Sequence, residues 1–77
     1  MAHPTGCSYE VPGKWGGVAI CSKTHGGAYR ALALCKNPDN GKIYNYAGQW
    51  RTTGFSCAYC QGNTIASSAG VETRYSN

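Results

Sequence analysis

Tyr29-Arg30-Ala31-Leu32-Ala33-Leu34-Cys35-Lys36, then Asn37-Pro38-Asp39-Asn40-Gly41, then Lys42-Ile43-Tyr44-Asn45-Tyr46, is the stretch that decides the fold class. Its first part alternates. Arg30, Leu32 and Leu34 fall on one face, and Tyr29, Ala31, Ala33 and Cys35 on the other, which is the period of a strand. Ala and Leu favour helices, but Gly26-Gly27 supplies no good N-cap and the run stops at Asn37-Pro38. Proline presets one turn angle and Asn-Gly supplies the positive φ that hairpins use. Residues 29–47 therefore read as a β-hairpin. On its return strand Ile43 and Asn45 oppose Tyr44 and Tyr46.

Outward from this hairpin the same grammar continues. Gly16-Gly17 and Gly26-Gly27 punctuate the chain as turns. Val18-Ala19-Ile20-Cys21 reads as a short strand, and Ser22 to Gly27 as a polar turn. Gln49-Trp50-Arg51-Thr52-Thr53, Phe55 to Cys60 and Val71 to Tyr75 are further β-prone runs. Residues 1–16, with Pro4, Pro12 and three glycines, read as an irregular N-terminal arm holding at most one short strand near Ser8–Val11. The expectation is an all-β fold: a small antiparallel β-sandwich or barrel of five to six short strands, stapled by disulfides, with residues 17–77 as its single domain.

Composition agrees and sets limits. The chain has 77 residues, so one small domain is all it holds, and two-lobed enzymes, dinucleotide folds and α/β barrels are excluded. Leu, Ile and Val number eight, with one Phe and one Met. A chain of this length buries only about 60% of its unfolded surface, so so few large aliphatics leave a thin margin over conformational entropy. Low charge (13%) and nine aromatics argue against disorder. No apolar run approaches the roughly 20 residues that span a bilayer. Met1-Ala2-His3-Pro4 shows no charged region followed by an apolar stretch, which fits a mature secreted chain restarted at Met1 or a cytosolic protein; the cysteines favour the first.

Cys7, Cys21, Cys35, Cys57 and Cys60 are the remedy for the thin core. Two bridges leave one thiol over, and five cysteines allow fifteen such arrangements. If Phe55 to Cys60 is extended, Cys57 and Cys60 point to opposite faces about 10 Å apart and do not bond each other. The pairing taken forward is Cys7 with Cys21 and Cys35 with Cys60. It leaves Cys57 to remain free or to join two chains as a covalent or non-covalent dimer. A redox CxxC at Cys57–Cys60 lacks the helix and βαβ context it needs. Zinc would require that single knuckle to be completed from Cys7, Cys21, Cys35, His3 and His25; the disulfide reading is preferred, with no metal and no cofactor. His25 lies in a Gly-flanked turn, and Glu10 and Glu72 have no spacing that pairs them, so the chain reads as non-catalytic.

Function is sought in the rings. Nine aromatics exceed what so small a core hides, and Trp15, Tyr44, Tyr46, Trp50, Phe55 and Tyr59 recur near glycines and cations. With Ile43 inward, Tyr44 and Tyr46 would face out beside Lys42. Trp15, Lys42, Tyr44, Tyr46, Trp50 and Arg51 are the expected binding residues. The net charge of +4 is spread singly along the chain, which suits mild attraction to anionic surfaces rather than a nucleic-acid stripe. The leading expectation is a secreted antimicrobial binding protein acting at a cell envelope, on a glycan or lipid-linked precursor. The alternatives are a stapled inhibitor of a protein partner, working through a loop around Trp15 or Trp50, and a single-stranded nucleic-acid binder.

Gly41 to Trp50, with Ala47-Gly48-Gln49-Trp50, the Tyr75-Ser76-Asn77 end and the Gly13-to-Gly17 segment together resemble small secreted β-sandwich bacteriocins of the lactococcin type. The likeness spans the second half of the chain and that short start. It implies two small packed sheets and inhibition of cell-wall synthesis through a lipid-linked precursor. The five cysteines depart from that pattern, and no site residue is carried over.

Overall fold

A computed structural model describes residues 3–75. Met1 and Ala2 of the arm, and Ser76 and Asn77 of the Tyr75-Ser76-Asn77 end, lie outside the described residues. Among the described residues six strands follow one another without a helix: β1 (Thr5–Gly13), β2 (Gly16–Lys23), β3 (Ala28–Lys36), β4 (Ile43–Ala47), β5 (Ser56–Tyr59) and β6 (Ile65–Arg74). They form two antiparallel three-stranded sheets, β1-β2-β5 and β4-β3-β6. The fold is thus a sandwich, long and thin at 44 × 20 × 14 Å.

The hairpin expected over 29–47 is present, pairing Leu32 with Ala47 through to Lys36 with Ile43. Its loop is longer than a two-residue turn. Asn37 N–H donates to the Lys42 carbonyl, the Asn37 and Asn40 side chains accept from the amides of Asp39 and Lys42, and Gly41 alone takes positive φ, at 74°. The crossing from β2 to β3, and so from one sheet to the other, is a tight turn in which His25 and Gly26 both have positive φ (53° and 82°) and Gly27 N–H bonds the Thr24 carbonyl.

Two boundaries differ from the sequence reading. The arm is not irregular: Thr5–Gly13 is a nine-residue strand paired with β2. It is an edge strand, whose outward N–H groups need no partner. It therefore tolerates Pro12, which sits where the register shifts between Glu10 and Gly13. Gln49 to Thr53 is not a strand. Gly48 N–H still bonds the Ala31 carbonyl and Arg51 bridges Tyr29, but between them the chain bulges away from β3. At Gly48 an added Cβ would stand 2.8 Å from the Ser56 hydroxyl, and that hydroxyl takes the place of a backbone partner: it accepts from Ala31 N–H (2.9 Å) and donates to the Gln49 carbonyl (2.7 Å).

The core is built from small side chains. Ala19, Ala31, Ala33, Cys35 and Ala58 are fully buried and packed together, edged by Tyr46, Cys60 and Val71. The alternation of β3 thus resolves with Tyr29, Ala31, Ala33 and Cys35 inward and Arg30, Leu32 and Leu34 outward. Sheets faced with Ala and Gly approach closely; a Cβ at Gly17 would lie 2.8 Å from the Ala69 Cβ and 3.2 Å from the Leu32 carbonyl of the opposite sheet. The one large ring at the centre, Tyr29, is fully buried and donates its hydroxyl to the Gly54 carbonyl.

Both bridges take the expected pairing. Cys7–Cys21 joins directly opposed residues of β1 and β2, with Cα atoms 3.9 Å apart. Cys35–Cys60 joins β3 to the end of β5, and so ties one sheet to the other. Cys57 is the free thiol.

Candidate functional site

The β1-β2-β5 sheet dictates where rings emerge. On β5, Ser56 and Ala58 are buried while Phe55 and Tyr59 are each 56% exposed, with Cys57 half-buried between them on the same outer side. The β1–β2 hairpin turns over Lys14 and Trp15, and the Trp15 carbonyl accepts from Cys60 N–H. That bond holds the turn against the end of β5 and stacks Trp15 on Tyr59, centroids 5.3 Å apart and planes 34° apart. Beside this pair a cleft of about 420 Å³ opens between β5 and residues 47–51. Gln49, Arg51 and Ser56 are its polar residues, Phe55 and Tyr59 supply its rings, and Cys57 also lines it. Arg51 is the only charged residue lining it. Aromatic faces beside a fork of N–H donors suit a ligand that is flat and apolar on one side and rich in hydroxyl or carboxylate oxygen on the other.

The six residues expected to bind do not converge. Trp15 and Arg51 belong to this region. Lys42 lies in the β3–β4 loop, exposed and not among the residues that line the cleft. Tyr44 and Tyr46 pair with Cys35 and Ala33, so both lie on the inner side of their sheet, and Ile43 points out at 52% exposure. This reverses the expected orientation of β4. The reason is the core itself: alanines leave the flank of the sandwich open, and Tyr46 closes it. Trp50 sits elsewhere, beneath the guanidiniums of Arg30 (4.6 Å) and Arg74 (4.4 Å). Phe55 and Tyr59 were recognisable as recurrent aromatics, but only the alternation of β5, with Ser56 and Ala58 small enough to bury, marks them as the outward pair.

The residues weighed for catalysis are dispersed. His25 hydrogen-bonds Thr5 through Nε2 (3.0 Å), Glu72 pairs with Arg30, and Glu10 is on the other sheet in β1. Among the described residues no three His, Cys, Asp or Glu side chains gather as metal ligands would. Cys60, half of the CxxC, is consumed by its bridge to Cys35. No helix among the described residues is long and apolar enough to cross a membrane. Comparison with family models, with curated proteins and with solved structures finds no match to this chain.

Proposed function

We propose that this chain is a small secreted, non-catalytic binding protein, antimicrobial in the manner of a bacteriocin, that engages a cell-envelope glycan through the aromatic face of β5. Two disulfides suit an oxidising, extracellular-type compartment. The observation that carries the reading is the Trp15–Tyr59 stack with Phe55 exposed beside it. These are rings on and beside a strand whose end is stapled to β3 by Cys35–Cys60, where binding costs little ordering entropy. Arg51 at the cleft gives it a preference for sugars that carry a carboxylate.

The test uses the Trp50→Phe variant, in which Trp15 alone reports. Soluble peptidoglycan glycan fragments are expected to shift its emission saturably. Tyr59→Ala and Phe55→Ala should each weaken binding about tenfold or more, as truncation of an aromatic anchor does. The same variants should lose growth inhibition on a bacterial lawn. An emission that stays flat through millimolar fragment would end the glycan reading. The protein-directed alternative would then lead, because the Lys14-Trp15 turn is presented at a hairpin tip (Trp15 is 44% exposed), as an inhibitor loop would be.

A further inference from the structure

The opposite face of the sandwich is unusual for what it shows rather than what it hides. Across β4-β3-β6 the register sets Ile43, Lys36 and Ile65 in one row and Asn45, Leu34 and Ser68 in the next. Leu34, Ile43 and Ile65 are 38%, 52% and 40% exposed. Leu32 follows between Ala47 and Gly70, neighbours too small to cover it. Next to it a groove of about 380 Å³, lined by Leu32, Asn45, Ala47 and Val71, reaches Arg30 and Glu72. There the guanidiniums of Arg30 and Arg74 both lie over Trp50, and Glu72, bonded to Arg30, is the one side-chain carboxylate among the described residues of β3, β4 and β6. Both aliphatic and cationic side chains are therefore presented outward on one sheet.

We infer that this face docks onto an anionic phospholipid surface, with Leu34, Ile43 and Ile65 entering the headgroup boundary and Arg30, Arg74 and Lys36 facing phosphates. Interfacial binding needs this combination of apolar area and positive charge. A second copy of the chain is the weaker occupant, since a two-fold contact would bring the same cations against one another. Aliphatic rather than aromatic side chains, in turn, do not suit a glycan. The inference goes beyond the glycan reading and does not depend on it, because it uses the other sheet.

The experiment places the Trp15→Phe variant, in which Trp50 alone reports, with vesicles of phosphatidylglycerol in phosphatidylcholine and with phosphatidylcholine alone. Co-sedimentation with the anionic vesicles and a blue shift of Trp50 emission are expected, with at least tenfold weakening from low to high salt. Pure phosphatidylcholine should retain little protein. Leu34→Ser with Ile43→Ser, and separately Lys36→Gln with Arg74→Gln, should each lower partitioning at least tenfold. All four sites are exposed, so the thermal transition should remain. Tyr59→Ala should partition like its parent. The inference falls if anionic vesicles do not retain the protein, if the two face variants bind as well as the parent, or if Tyr59→Ala abolishes binding instead. It falls equally if sedimentation velocity shows a dimer that Leu34→Ser dissolves, which would assign the face to a second copy.

Discussion

Removal of both disulfides is expected to unfold the domain outright at room temperature. The Cys35–Cys60 bridge closes a 25-residue separation and Cys7–Cys21 one of 14. Loop-closure entropy assigns them about 3.5 and about 3 kcal/mol, against the roughly 3–5 kcal/mol that a single small core supplies. The two bridges are not equivalent in place. Cys7 and Cys21 are already opposite each other in a backbone ladder, whereas Cys35 is wholly buried and its bond joins the sheets. Cys35→Ala with Cys60→Ala should therefore lower the urea midpoint more than Cys7→Ala with Cys21→Ala. Each comparison is made in a Cys57→Ser background to prevent exchange. Near-ultraviolet circular dichroism retained in the fully reduced protein would contradict the premise that the staples compensate for a thin core.

Ser56→Ala should cost about 1–3 kcal/mol, a large amount for the loss of one oxygen. The Ser56 hydroxyl is the buried link between two strands of opposite sheets: it satisfies Ala31 N–H and the Gln49 carbonyl together. Without it the Ala31 N–H stays buried and unpaired, at about 1–3 kcal/mol, while the Gln49 carbonyl, beside the cleft, exchanges its protein partner for water. No other side chain in the core can reach the Ala31 N–H, because the neighbours are alanines. Equilibrium urea unfolding would read the change as a shift of midpoint at constant slope. Ser56→Thr keeps the hydroxyl but adds a methyl close to Gly48, so it should recover only part of the loss. A Ser56→Ala protein as stable as the parent would mean that the Ala31 N–H finds another partner.

The hairpin, the strand class and the exclusion of a Cys57–Cys60 bond were legible because each rests on a local signal; the pairing taken forward matches the structure, though spacing alone did not select it. Residues 29–36 alternate, Asn37 to Gly41 is turn chemistry, and the reach of an extended Phe55–Cys60 forbids one pairing. What was not legible has a common cause. Alternation divides β3 into two faces but does not say which is inside, and here the inner set is Ala31, Ala33 and Cys35 while the leucines face out. The same inversion put Tyr44 and Tyr46 on the inner side of their sheet, although Tyr44, at the flank, stays 40% exposed. β6 runs from Ile65, yet its first half, Ile65-Ala66-Ser67-Ser68-Ala69-Gly70, is poor in β-formers and takes its strand geometry from pairing with β3. β1 was masked by Pro12, which only its edge position permits. Ser56 gave no signal at all. Its importance arises from a gap in the ladder that exists only once Gly48 leaves β3.

An interior of alanine and cystine also governs how the molecule responds to temperature. Heat-capacity change on unfolding tracks the apolar area that water newly touches. Here that area is small, because Leu32, Leu34, Ile43 and Ile65 are wetted before unfolding begins. Calorimetry should therefore find a change below the usual ~12–15 cal/mol/K per residue. A small value flattens the stability curve, so the folded state should hold nearly constant margins from the cold to well above ambient. Such a chain resists warmth and chill by indifference to water's temperature dependence rather than by strength.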